Sequence, residues 1–151
     1  MENNSKATPN KIIAEFCALL DSRGVAYELN NNDGNLMRLG AKLPNHNTSP
    51  LVLIHFNPDN NALSLALSKL AVFASPNTEI YELMNDFNAD QNNFGCKMFI
   101  EEGGEIMVLT NAIVKGDDIC GQIADYLDLD VLAIDKYFGR ISEIINNSNK
   151  D

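Results

Sequence analysis

The chain has 151 residues, of which 45% are hydrophobic, and this suits one globular domain with its own core rather than wholesale disorder. It holds 21 acidic and 11 basic residues, for a net charge of −10. Residues 78–151 carry this entire excess, because residues 1–77 are neutral. Nucleic acid and anionic lipid are therefore disfavoured as partners, since both require clustered lysine and arginine.

Cysteine usage and the N-terminal residues predict a cytoplasmic protein. Cys17, Cys96 and Cys120 are odd in number and widely spaced, which is typical of a reducing compartment rather than of a disulfide framework. Met1–Ser5 shows no secretory apolar region, and no apolar run approaches the ~20 residues that cross a bilayer. We therefore expect no membrane partner.

The N-terminal half predicts one helix followed by four strands. Residues 1–8 are polar and predicted to be disordered, and residues 9–147 are predicted to form a single domain. The first helix is expected over about 9–22, since Thr8–Pro9 reads as a capping residue followed by proline. Turn-forming residues then separate four strands, expected over about 25–29, 35–42, 51–56 and 62–70.

A second helix and a hairpin follow. Ser75–Pro76 repeats the pairing of a capping residue with proline, so the second helix is expected over about 77–88. Two further strands, over about 94–101 and 105–113, are joined through Gly103–Gly104. A glycine pair between two apolar runs is typical of a tight hairpin, because both glycines tolerate positive φ.

The chain closes with helical sequence. Beyond Gly116 the apolar spacing predicts one broken helix or two consecutive helices, the last over about 131–146. The predicted order is α-ββββ-α-ββ-α(α). Strands joined by short hairpins imply an antiparallel sheet, and helices set apart from the strand runs imply an α+β fold.

No catalytic, metal or cofactor site is predicted. His46 and His55 are the only histidines, and neither has a second ligand or a triad partner at a recognisable spacing. Gly103–Gly104 links two strands, whereas phosphate-binding loops lead into helices. One alternative stays open, a small enzyme whose site is built from dispersed residues around His55.

The last hairpin is apolar on both of its predicted faces. With Gly103–Gly104 at the turn positions, Phe99 would face Val108 and Glu101 would face Ile106. If the helices cover one side of the sheet, the second side is usually polar. An apolar second side indicates an interface, unless the first helix covers it. The predicted interface residues are Phe99, Ile106 and Val108, helped by Tyr81 and Met84 of the second helix.

The C-terminal half resembles a known bacterial family. Ile80–Asn88 is similar to the end of a helix in the YbjN family, which follows the pattern lLN-x-hN. Three further segments fit the same family, namely Phe94–Ile100, Glu105–Leu109 and Ile134–Phe138. The resemblance covers residues 78–146, extends to 10–70 by element order, and departs at Phe138–Gly139, where the family helix often has a proline-type break.

The resemblance implies a role in binding or regulation. Proteins of this family resemble the class I type III secretion chaperones in fold, being small, acidic and often dimeric. Neither an enzyme nor a secretion system is implied. We therefore expect a non-enzymatic cytoplasmic binding module, chaperone-like or regulatory, that forms a homodimer or holds a protein client and needs no cofactor.

Overall fold

The computed structural model describes residues 6–148, and within them the chain has the predicted α+β order. The elements are α1 Lys11–Ser22, β1 Tyr27–Leu29, β2 Leu36–Gly40, β3 Leu51–Asn57, β4 Ala62–Val72, α2 Thr78–Ala89, β5 Cys96–Ile100, β6 Glu105–Ile113 and α3 Ile119–Ser148. A short 3-10 helix, Gln91–Asn93, lies between α2 and β5.

The six strands form one antiparallel sheet in the order β1-β2-β3-β4-β6-β5. The first four strands pair with their neighbours along the chain, as short hairpins dictate. After β4 the chain passes through α2 to the edge of the sheet and returns as β6, which pairs with β4 and β5. The predicted antiparallel sheet is confirmed, and β1 and β5 are its two edges.

All three helices pack on one face of the sheet. Burial alternates along β3, where Val52, Ile54 and Phe56 are fully buried and the residues between them are half-buried. Helix α3 lies against β4 and β6, and it also contacts both α1 and α2. The alternative in which α1 covers the second face of the sheet is therefore wrong.

The predicted register of the last hairpin is wrong by one residue. Phe99 pairs with Met107, and Met98 pairs with Val108. The turn uses three residues instead of two, since Glu101 N donates to Glu105 O at 2.9 Å and Gly104 N to Glu101 O at 2.8 Å. A one-residue shift exchanges the two faces of a strand.

The shift in register moves two predicted interface residues into the core. Ile106 and Val108 are both 0% exposed, on the face that the helices cover. Phe99 keeps its predicted place on the other face, where its neighbours are Met107 and Leu109. Ile106 and Val108 are thus core residues, and the apolar second face is built by different side chains.

Asparagines, not the predicted Thr8 and Ser75, cap the first two helices. Asn10 accepts a hydrogen bond from Ile13 N at 2.9 Å, and Asn77 accepts one three residues ahead in the same way. Asn10 also donates to Phe56 O at 3.0 Å, so this cap ties α1 to β3. In both cases proline precedes the cap instead of opening the helix, and each helix begins one or two residues later than predicted.

Helix α3 is continuous over 30 residues, including Phe138–Gly139. The predicted break near residue 130 does not occur, because Ile123, Leu127, Asp130 and Ile134 recur at helical spacing and are all buried. None of the helices within residues 6–148 has the length and apolar character needed to cross a membrane.

Part of the segment predicted to be disordered is held against the loop between β1 and β2. Ala7 N donates to Asn31 O at 2.7 Å, and Asn10 N donates to Gly34 O at 2.8 Å. A Cβ atom at Gly34 would lie 2.0 Å from Thr8 O, so this close approach requires glycine. Residues 1–5 of the predicted disordered segment lie outside the described residues.

The end of α2 is anchored to α3 by charged groups. Asp90 accepts hydrogen bonds from Lys136 Nζ at 2.6 Å and from Tyr137 Oη at 2.9 Å. The hydrogen bond from Lys136, together with one from the backbone of Asn92, holds the pKa of Asp90 well below its usual range. Arg140 forms a second ion pair, with Asp86 at 2.9 Å. These bonds fix α2 relative to the helical layer.

Candidate functional site

The face of the sheet turned away from the helices, here termed the open face, is apolar at its centre. The strand register aligns Leu53, Ala66 and Leu109 in one row across β3, β4 and β6. Arg38 and Lys97 stand at the two ends of this row. The apolar residues at the centre of the open face are Leu51, Leu53, Ala66, Phe99, Met107 and Leu109, all of them half-buried.

These side chains shield one another. Apart from Tyr81 and Met84 of α2, which lie beside Phe99 at the edge of the sheet, no helix residue within 6–148 covers them. An antiparallel sheet with one solvated face usually carries polar residues on that face. Here one row, formed by His55, Ser64 and Asn111, is polar, and the other polar residues lie at the margin. A contiguous apolar centre with a polar margin is typical of a protein-binding surface.

The sheet is nearly neutral although the chain is strongly acidic. Its strands contain two acidic residues, Glu28 and Glu105, and three basic residues. The three helices contain ten acidic residues and three basic ones. Arg38 pairs with Glu28 beside the open face. Negative charge is therefore concentrated in the helices and loops, away from the apolar centre.

The structure brings three of the five predicted interface residues together. Tyr81, 55% exposed, and Met84 project from α2 toward the end of β5, where Phe99 lies. They line a cavity of about 510 Å³ between α2 and the β5–β6 hairpin, here termed the hairpin pocket. The other two, Ile106 and Val108, do not reach it, because they point into the core.

One wall of the hairpin pocket is fixed by Asn88. Its side chain accepts a hydrogen bond from Met98 N at 2.7 Å and donates one to Met98 O at 3.0 Å. The amide thus takes the place of a neighbouring strand at the edge of the sheet. Asn88 belongs to the segment that carries the family resemblance, but the sequence does not predict its hydrogen bonds to Met98. They join the end of a helix to a strand ten residues later, and no local pattern indicates such a contact.

Replacing Asn88 by alanine is expected to lower the free energy of unfolding by about 1–3 kcal/mol, because both hydrogen bonds to the edge strand are lost. Urea denaturation would measure the change. Asn85→Ala, at an exposed position of the same helix, is the matched control and should change stability by less than about 0.5 kcal/mol. Equal effects of the two substitutions would contradict the role assigned to Asn88.

The opposite wall is fixed by the tip of the hairpin. Phe73 N donates to Gly104 O at 2.8 Å, which joins the turn to the segment that follows β4. Gly104 has φ of 82°, and it packs so closely on Phe73 that a Cβ atom would lie 2.0 Å from Phe73 O. The hairpin pocket is therefore held from both sides by backbone contacts.

The alternative function, a small enzyme with a site around His55, would have to use the polar row of the open face. His55 Nε2 lies 3.7 Å from Asp33 Oδ2, and Ser64 is the cross-strand partner of His55. The Ser64 hydroxyl donates to Asn111 Oδ1 at 2.6 Å. Among residues 6–148 the structure records no Ser64–His55 hydrogen bond, the contact by which a base activates a nucleophile.

The other histidine holds the loop between β2 and β3 on α3. His46 Nε2 lies 3.2 Å from Asp135 O, and its ring lies 5.0 Å from that of Phe138. The neighbouring Asn45 donates twice to the Asp135 carboxylate, at 2.9 and 2.6 Å. Burial opposes the charge of Asp135, but these hydrogen bonds lower its pKa. These contacts give His46 a structural role.

A second buried carboxylate, Asp130, lies inside the core. It is 0% exposed, and its two oxygens lie 2.9 and 2.8 Å from Thr110 Oγ1 on β6. Burial raises the pKa of Asp130 to about 6, and the hydrogen bond from Thr110 opposes this only in part. Burial also raises the pKa of the neighbouring Cys96 thiol to about 12, with a contribution from the charge of Asp130.

The residues described by the structure do not form a candidate metal site. Within residues 6–148, no group of three or more His, Cys, Asp or Glu side chains is placed so that it could hold a metal ion. Cys17, Cys96 and Cys120 are all free thiols.

Two comparisons with known protein sequences find no match. No protein-family model matches the chain, and no curated protein matches it at a significant level. The resemblance to the YbjN family therefore stays a prediction from the C-terminal sequence. The function has to be inferred from the two surfaces that the fold presents, the open face and the hairpin pocket.

Proposed function

We propose that the protein is a non-enzymatic cytoplasmic binding module, chaperone-like or regulatory, that docks a second copy of itself through the open face. The observation that supports this proposal is the apolar centre at Leu53, Ala66 and Leu109, which no helix within residues 6–148 covers. Free cysteines suit the reducing compartment proposed for it.

The distribution of charge favours a second copy as the occupant. A dimer formed through the open faces would join nearly neutral surfaces and keep both acidic helical layers on the outside. Stacked sheets lie about 10 Å apart, so the helical layers behind them would be separated by more than the Debye length of about 8 Å at physiological ionic strength. Repulsion between two chains of charge −10 would then be largely screened.

The apolar area predicts a reversible dimer. Each copy offers five large apolar side chains, and full burial of one contributes roughly 1.5–3 kcal/mol relative to full exposure. Because these side chains are already half-buried, we expect about 1 kcal/mol from each. The free energy gained by burying all ten side chains is then comparable with the free energy lost in joining two molecules, about 4–15 kcal/mol.

The double variant Leu53→Thr and Leu109→Thr tests this proposal. Threonine suits a strand, so the sheet should persist while the apolar centre is lost. We expect light scattering after gel filtration to show a concentration-dependent dimer for the unmodified chain, and a dissociation constant at least tenfold weaker for the variant, a change of about 1.4 kcal/mol.

The matched control removes two exposed leucines from the helical side of the molecule. Leu129→Gln and Leu132→Gln, both on α3, delete the same number of leucines at exposed positions and should leave the dimer intact. A monomer at every concentration of the unmodified chain would overturn the proposal. So would equal weakening by the two double variants, since general surface hydrophobicity would then explain the association.

A further inference from the structure

The hairpin pocket has the size and rigidity of a preformed binding site. Its volume of about 510 Å³ is within the range of about 300–1,000 Å³ that is common for ligand sites. Asn88 fixes the α2 wall to Met98, and Gly104 fixes the hairpin wall to Phe73. A site that is held open in this way binds without first having to order its own walls.

Apolar side chains line much of the pocket, and acidic side chains line one end of it. Apolar side chains that line it include Phe73, Pro76, Tyr81, Met84, Phe99 and Ile100. Glu101 and Glu102 line the end formed by the hairpin tip, and both are exposed. No lysine or arginine is among the lining residues, and the nearby Lys97 ammonium donates to Asn88 O at 2.9 Å. The pocket therefore favours an apolar group that lies next to a positive charge.

The edge strand offers backbone groups beside the same pocket. Asn88 shows that the N–H and C=O of Met98 point away from β6. Backbone groups alternate along a strand, so those of Ile100, two residues later, point outward as well, on the pocket side. An extended peptide can hydrogen-bond to them as an added strand does, but only over a short length, because Asn88 occupies the next position.

We propose that the hairpin pocket binds a short extended segment of a partner protein in which large apolar residues are flanked by lysine or arginine. The apolar side chains fill the space between Tyr81, Met84 and Phe99, and the cations face Glu101 and Glu102. The backbone of the segment pairs with Ile100. This proposal names a partner for the binding module, and it does not rest on the open-face dimer, although the two surfaces share Phe99.

The probe is a fluorescein-labelled heptapeptide, Ser-Lys-Leu-Lys-Phe-Lys-Ser, titrated with the full chain and followed by fluorescence anisotropy. We expect saturable binding with a dissociation constant of roughly 10–500 µM, typical of a short segment. Two matched peptides, one with glutamate in place of each lysine and one with serine in place of leucine and phenylalanine, should bind at least tenfold more weakly.

Two double variants locate the binding. Tyr81→Ser with Met84→Ser should weaken binding of the lysine peptide at least tenfold, while light scattering shows the same oligomeric state as the unmodified chain. Glu101→Gln with Glu102→Gln should weaken binding about threefold to tenfold and reduce its dependence on salt. Circular dichroism would verify that both variants are folded.

The control removes two acidic residues elsewhere. Asp125→Asn with Asp128→Asn deletes two exposed carboxylates of α3 and should leave peptide binding within twofold. Equal weakening by this control would overturn the proposal in favour of non-specific attraction to an acidic protein. The proposal is also overturned if the lysine peptide does not bind, or binds unchanged to the Tyr81 and Met84 double variant. Light scattering on the same variants reports the open-face dimer separately from peptide binding.

Discussion

Replacing Asp130 by asparagine is expected to remove about 3 kcal/mol of pH dependence from the stability of the protein. Burial raises the pKa of Asp130 from 3.8 to about 6 in the folded chain, and each pKa unit corresponds to about 1.4 kcal/mol. At a pH between these two pKa values, the Asp130 carboxyl is protonated in the folded state and ionised in the unfolded state. The contribution to stability therefore falls as pH rises from about 4 to 6, and is constant above that range.

The measurement is the free energy of unfolding of the unmodified chain and of Asp130→Asn, from urea denaturation at pH 4 and pH 8. Between pH 4 and pH 8 the difference in unfolding free energy between the two proteins should shift by about 2.5 kcal/mol in favour of the variant, somewhat less than the full value of about 3 kcal/mol, because at pH 4 the unfolded carboxyl has already lost part of its protons. Taking a difference cancels the other titrating groups. Asp128→Asn, an exposed carboxylate on the same helix, is the matched control, and its difference should stay within about 0.5 kcal/mol. A shift of the same size in both variants would contradict a specific effect at Asp130.

Replacing Gly104 by alanine is expected to lower the free energy of unfolding by about 3 kcal/mol or more. The φ of 82° costs a residue with a side chain about 1–2 kcal/mol. The new Cβ atom would lie 2.0 Å from Phe73 O, so the backbone must move. That movement breaks the 2.8 Å hydrogen bond from Phe73 N, which contributes about 1 kcal/mol.

Two other glycines separate these causes. Gly103→Ala, one residue earlier, meets no atom within 4 Å and should change stability by less than about 0.5 kcal/mol. Gly24→Ala meets no neighbour either, but has φ of 67°, so it should cost only the backbone strain of about 1–2 kcal/mol. If thermal or urea unfolding showed the same loss of stability for Gly104→Ala as for Gly24→Ala, the contact with Phe73 would make no measurable contribution to the free energy of unfolding.

The candidate site was partly predictable. Apolar residues on both faces of the last hairpin indicated an uncovered surface, and Phe99, Tyr81 and Met84 do lie together around the hairpin pocket. A two-residue turn places Ile106 and Val108 on that surface, whereas the observed register places both in the core. A turn of three residues rather than two cannot be recognised from a glycine pair alone, because Glu102 is compatible with both.

The sequence by itself determined the order of the elements and the antiparallel α+β class, because both follow from local properties. Periods of 2 and 3.6 residues distinguish strands from helices, and turn-forming residues separate short hairpins. Tertiary contacts decided what local patterns leave open. Asn10 caps α1 while it binds β3, and α3 continues through Asp130, whose side chain meets Thr110 of β6 inside the core. Gly104 contacts Phe73, which extends the pairing of the neighbouring strands β4 and β6, next to the turn that sets the hairpin register. Each of these contacts joins residues distant in sequence, so its free energy exists only after the chain has folded.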